Sequence, residues 1–302
     1  MEIGLGIDSR LVLSATEHAD VAAEAAVLGY TSLWTPARDD DPFDLCVRWH
    51  EASGLETGIS VLPFQRWSAE QLIAGTRMAR DRTAGRFIVG VGAGSERDAP
   101  IRKLRDLAGV LRPALPDTPI YLGALGPQML HLAGARYDGA ALNWCSPSQT
   151  LWSRERVAAG AVAAGRDPRG IRIHQYIRVC VDPDVAAARR ALAKMVLSYA
   201  MSRPGDDPTM GYRGHFTRMG FDDVLTELEA LRARGAADDT LADRLPDALL
   251  ARVGWWGPPE GADAGFESLT AGLDIAVVRV VAAKKNDADC VRLAMRSCAR
   301  AI

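Results

Sequence analysis

The stretch Gly85–Arg86–Phe87–Ile88–Val89–Gly90–Val91–Gly92–Ala93–Gly94–Ser95–Glu96 decides how the rest of the chain is read. Phe87 to Val91 is an apolar run of buried-strand length, it enters a glycine-dense turn, and a helical pattern follows Pro100. Small residues at Gly92, Ala93 and Gly94 let backbone amides approach an anion, because glycine takes backbone angles that other residues avoid. The turn therefore reads as a phosphate holder. Two familiar phosphate motifs fail on spacing. The last glycine of a G-x-G-x-x-G fingerprint falls on Ser95 or Arg97, and no G-K-[ST] follows as a P-loop needs. The same run reads equally as a strand-to-helix turn that needs glycine for geometry alone.

A strand running into a helix is also the repeating unit on either side. Ile3–Ile7 is followed by Ser14–Ala15–Thr16–Glu17, an S-x-x-E capping box, and Gly29 stops that helix before a second strand, Thr31–Thr35. Thr57–Leu62, Thr118–Gly123, Asp138–Leu142, Ile171–Val181 and Ile275–Val280 complete a set of eight strands, most of them followed at once by a helix. Pro127 stands at a first helical position, and Val185, Ala188, Leu192, Val196 and Tyr199 recur at helical spacing. Residues 201–219, rich in Pro and Gly, break the rhythm and read as an excursion over one end of the fold. A short helix is expected around Asp243 to Arg252. Eight such units in 302 residues predict one α/β domain, a (β/α)8 TIM barrel, with an open doubly wound sheet as the competing layout.

Composition narrows the function classes. Apolar residues make up 48% and charged residues 25%, and no run of eighteen apolar residues is present to span a membrane. The first residues read as a strand rather than a signal peptide, so a cytoplasmic enzyme is expected. A net charge of −2 without a dense basic block gives no sign of nucleic acid as a partner. Five scattered cysteines with no C-x-x-C pair argue against disulfides and structural zinc, and no metal site is expected.

Several stretches together resemble the bacterial luciferase-like superfamily of flavin- and coenzyme F420-dependent oxidoreductases, most of all members of the methylenetetrahydromethanopterin reductase type. They are Leu28–Trp34, Thr57–Val61, Gly85–Gly94, Pro119–Pro127 and Leu132–Gly139, with Gly257–Pro258–Pro259–Glu260 and Gly272–Leu273–Asp274 towards the C-terminus. The resemblance implies a barrel that holds a deazaflavin or flavin ring across its strand ends. It places the ribityl phosphate between Gly92, Ala93, Gly94, Ser95 and Glu96 on one side and Gly123, Ala124, Gly126 and Pro127 on the other. In the deazaflavin-using branch a non-prolyl cis peptide after the third strand backs the ring, and the matching pair is Ser60–Val61. The chain departs from relatives in passing directly from Leu115 to Thr118, and in carrying Ala37–Arg38 where sugar-phosphate-oxidising members have Asp-His.

In a barrel the chemistry sits after the strands' C-terminal ends, which gathers Asp8, Arg38, Ser60, Gly92 to Glu96, Gly123 to Gly126, Asn143 and Trp144 on one rim. Proton transfer points to Asp8, Glu96, His174 and, if the excursion folds inward, His215; Asp8 reads equally as a cap for the next segment and His174 as a structural histidine. Arg38 and Arg178 have the planar fork to anchor a substrate carboxylate, and Trp34 and Trp144 could stack on a ring or pack a core. The expected activity is hydride transfer between coenzyme F420 and a C=C, C=N or C=O bond of a small metabolite, with Asp8, Arg38 and His174 as the reacting side chains. The alternatives are an FMN-dependent monooxygenase and a catalytically silent flavin-binding protein. A homodimer is expected from apolar outer helices.

Overall fold

The computed structural model describes residues 1–37, 41–202 and 207–299. Nine strands form: β1 (Glu2–Gly6), β2 (Ser32–Thr35), β3 (Glu56–Pro63), β4 (Phe87–Gly92), β5 (Ile120–Gly123), β6 (Gly139–Asn143), β7 (Arg172–Val181), β8 (Gly254–Gly257) and β9 (Ile275–Val280). All pairings are parallel, and the chain β1-β2-β3-β4-β5-β6-β7-β9 closes on itself through β9 against β1. This is a (β/α)8 barrel closed by eight strands. β7 uses one edge for β9. Its other edge serves β6 over Arg172–Tyr176 and then β8 over Arg178–Val181, so β8 is a ninth strand beside the barrel.

Local chemistry sets the helix ends. Ser14 and Ser68 each close a capping box, with Glu17 and Gln71, on the helices Ala15–Val27 and Ala69–Arg82. Asp41 caps Pro42–Ser53, and Gly54 ends that helix in the left-handed region. The strands alternate between two cores. Ile173, Ile177 and Val179 of β7 face the helical shell, whereas His174 and Tyr176 point into the barrel beside Trp34, Tyr121 and Val277. A second shell cluster packs the helix Val185–Ala200 against the helices Gly211–Arg218 and Asp222–Ala233 through Leu192, Val196, Phe216, Phe221 and Leu225.

Three features differ from the sequence expectation. Gly254–Trp255–Trp256–Gly257 is a strand although it has no period-two signal. The excursion is helical over Gly211–Arg218, because burial of Phe216 and Met219 outweighs the local cost of Gly211 and Gly214. The helix expected around Asp243 to Arg252 is two helices, Asp238–Arg244 and Asp247–Leu250, divided at Pro246, which has no amide to continue the first.

Candidate active site

The barrel mouth is built first by the pressure of β3 on β4. The Ser60–Val61 peptide is cis, as the resemblance implies, and the register of β3 on β4 slips between Ile59 and Leu62. Opposite that bulge stand the alternate glycines of the opening stretch. A Cβ on Gly90 would lie 2.4 Å from the Ile59 carbonyl oxygen, and one on Gly92 would lie 2.6 Å from Val61 Cγ2. Gly94, with φ +60°, leaves room for Gln65 Oε1, which would sit 2.4 Å from a Cβ. The G-x-G-x-G pattern thus faces β3 and admits its bulge.

The amides beyond these glycines already have acceptors. Ser95 N–H donates to Gln65 Oε1 at 3.2 Å, and the Glu96 carboxylate accepts the Arg97 and Asp98 amides at 2.9 Å each. Lys103 Nζ donates to Glu96 at 2.7 Å, and this bond leads the effects that hold the Glu96 carboxyl below its usual range. A second anion at Ser95 and Glu96 would meet that carboxylate. The turn after β5 is open by comparison. Gly126 precedes the helix Pro127–Arg136, no side chain caps that helix, and a Cβ on Gly126 would meet nothing within 4 Å. Its orphan amides fit a phosphate. Gly123 abuts Val61, while the Ala124 amide is bonded to the Ala141 carbonyl at 3.1 Å.

Across the mouth lies a charged and aromatic cluster. Asp8, just past β1, accepts from Arg279 Nη2 at 2.7 Å and Nε at 3.2 Å, and from the Arg10 amide at 3.0 Å. Burial pushes the Asp8 carboxyl up, but the Arg279 guanidinium and the Arg10 amide outweigh it and hold the group at about 2. Asp8 is therefore a fixed anion rather than a proton source near neutrality. The Arg279 guanidinium lies 4.5 Å from the Tyr176 ring centre. Arg178, the next inward residue of β7 after Tyr176, lies 4.1 Å from the centre of the Trp144 ring and bonds Asn143 Oδ1. Asn143 Nδ2 donates in turn to Tyr212 Oη at 2.6 Å, and His215 Nε2 lies 3.1 Å from the Trp144 carbonyl. With Arg218 Nη2 donating to the Leu125 carbonyl at 3.2 Å, the helix Gly211–Arg218 rests on the ends of β5 and β6.

Asp8, Asn143, Trp144 and Arg178 thus converge at one side of the mouth, and Ser60, Val61, Gly92 and Gly123 at the other. His174 does not join them. It lies four residues before Arg178 on β7, roughly 13 Å deeper at strand rise, wholly buried 4.1 Å from Trp34. Burial drives its pKa down to about 3, so it stays neutral, and neither ring nitrogen has a partner among the described residues. Trp34 is barrel filling. Arg38 lies outside the described residues. Arg279, Tyr176 and Tyr212 are not among the residues that the sequence points to, and Tyr199 enters there only through its helical spacing. An arginine inside the apolar run Ile275–Val280 was the available signal, because a cation in a buried parallel strand demands a partner. Among the described residues no group of three or more His, Cys, Asp or Glu could hold a metal ion, and no helix is long and apolar enough to cross a membrane.

These features define a class, an α/β barrel with a bulge within its third strand and a charged mouth. Residues 98–274 match the luciferase-like monooxygenase family model, and the chain belongs to that family. It is 31% identical over 167 residues to a 5,10-methylenetetrahydromethanopterin reductase of Methanolobus tindarius, covering 55% of this chain and 48% of that one. The chain spans about half the length of the curated relatives it matches. Over whole chains the fold is that of the coenzyme F420 dependent tetrahydromethanopterin reductase from Methanopyrus kandleri (TM-score 0.73, 17% identity, 98% of each chain). It is equally like an F420-dependent secondary alcohol dehydrogenase solved with an F420-acetone adduct (TM-score 0.73, 15% identity, 99% of each chain).

Proposed function

We propose that this protein is a coenzyme F420-dependent oxidoreductase that reduces or forms a C=C, C=N or C=O bond in a small metabolite. The observation that carries this reading is the bulge of β3 on β4 between Ile59 and Leu62, which sets the Val61 side chain among Gly90, Gly92 and Gly123 at the barrel mouth. Names of the relatives and fold neighbours point the same way. The bound deazaflavin would supply or accept the hydride. Val61 would back one face of its ring, and the turn Gly123–Pro127 would hold its phosphate. Ser60, Gly92, Ala93 and Gly94 would border it, with Ser95 and Glu96 further out because their donors are engaged within the protein. Asp8 and Arg279 would fix the field on the far side, while Trp144, Tyr199 and Tyr212 keep water from the open face. His174 would support the barrel floor.

A second reading, an FMN-dependent monooxygenase, is favoured by the description of the family model. Anaerobic incubation with reduced F420 and a panel of enones, imines and ketones separates the two. Growth of the oxidised deazaflavin absorbance with one acceptor class supports the reductase. Turnover that needs oxygen and reduced FMN supports the monooxygenase. The enzyme is further read as a cytoplasmic homodimer, with light scattering as the test of the dimer.

A further inference from the structure

Arg178 is a buried cation without a counterion among the described residues. Its residue is 3% exposed, and no carboxylate among the described residues pairs with it. Nη1 bonds Asn143 Oδ1 and, at 3.3 Å, the Tyr176 carbonyl. Three aromatic faces enclose the guanidinium, with ring centres at 4.1 Å for Trp144, 5.6 Å for Tyr199 and 5.8 Å for Tyr176. Nε and Nη2, the edge that grips a carboxylate in a bidentate pair, have no acceptor among the described residues. Arg279, buried to the same degree, is balanced by Asp8. Burying a guanidinium unpaired is costly, and arginine does not escape the cost by losing its proton.

We propose that Arg178 anchors the carboxylate of the substrate, so that the site takes small monocarboxylic acids with a reducible double bond. Charge and position both favour this class. Asp8 is shared between the buried Arg279 and the half-exposed Arg10, which leaves Arg178 as the buried arginine of this cluster with no carboxylate partner among the described residues, a place that a substrate carboxylate would fill. In the ring order β3-β4-β5-β6-β7 and, the other way, β3-β2-β1-β9-β7, β7 stands four strands from β3 in both directions. Arg178 thus faces the Val61 bulge across the mouth, on the side a substrate would occupy if Val61 backs the cofactor. This placement and the reducible double bond rest on the deazaflavin reading; the unpaired guanidinium does not.

Calorimetric titration of the full chain, with and without F420, tests the proposal using crotonate, cinnamate, their methyl esters and inorganic phosphate. The expected result is saturable binding of the acids, at least tenfold weaker binding of the esters and, with F420 filling the Gly123–Pro127 turn, of phosphate, and at least tenfold loss for the acids in Arg178→Met with F420 affinity kept within twofold. Arg178→Lys, which keeps the charge and loses the fork, should fall between the two. The acid-to-ester comparison on the unchanged chain does not depend on any variant folding. Equal binding of acid and ester, or of acid by the wild type and Arg178→Met, overturns the inference. A tenfold loss of F420 binding in Arg178→Met with acid binding intact also overturns it and leaves the deazaflavin reading standing. Selective acid binding by a chain that does not bind F420 supports the anchor and removes that reading.

Discussion

Asp8 and Arg279 lie 271 residues apart in sequence and meet as a buried pair because β1 and β9 are neighbours at the barrel's closure. Removing one partner leaves the other charge buried, at a cost of about 3 to 5 kcal/mol. Asp8→Ala should therefore lower the urea unfolding free energy by that order, and Asp8→Ala with Arg279→Met should recover much of it. The two interior histidines set a different dependence. Burial holds His174 at about 3 and His215 at about 4, both below the ordinary 6.5. The unfolded chain then binds more protons than the folded one once the pH drops below 6.5. Stability from these groups is complete above that pH and falls as pH is lowered, by up to about 1.4 kcal/mol per unit for each histidine, until the folded values are reached. Urea midpoints measured from pH 7 to pH 5 should show this decline, and His174→Phe should remove its share of the slope.

At the scale of elements, β3 and β4 form one unit. Gly90→Ala places a methyl against a backbone oxygen that cannot rotate away, and overpacking of this kind costs about 1 to 3 kcal/mol. Gly126→Ala meets open space at an ordinary φ of −88° and should stay within about 0.5 kcal/mol of the parent. Thermal or urea denaturation of the two variants side by side checks the contrast. The strand, turn and helix order was legible here, since Phe87 to Val91, Pro100 and the serine caps carry local signals. What the glycines press against was not, because Ile59, Val61 and Gln65 reach them only through strand pairing. For the same reason Gly254–Gly257 and the helix Gly211–Arg218 escaped notice. Four residues without alternation and a segment punctuated by glycine are both held by tertiary burial, and Phe216→Ala should cost about 3 to 5 kcal/mol through the cavity left under Trp144 and Phe221.

For the whole molecule, barrel closure turns separate strand ends into one mouth, and strand count and order were sufficient to place Asp8, Ser60, Gly92, Gly123 and Asn143 on it. They were not sufficient to choose between the anion-holding turns, since the engagement of Glu96 with Lys103 and the Arg97 and Asp98 amides depends on side-chain geometry. Nor did they reveal Arg279, whose partner lies at the opposite end of the chain. A deazaflavin held in the mouth between the Val61 bulge and the Gly123–Pro127 turn is what the proposed function requires. Titration of the purified protein with F420 and with FMN, followed by each chromophore's fluorescence and absorbance, tests it most directly. Saturable binding of F420 that excludes FMN at equal concentration, weakened by inorganic phosphate, is the predicted result. Tight binding of FMN alone, or of neither, would contradict it.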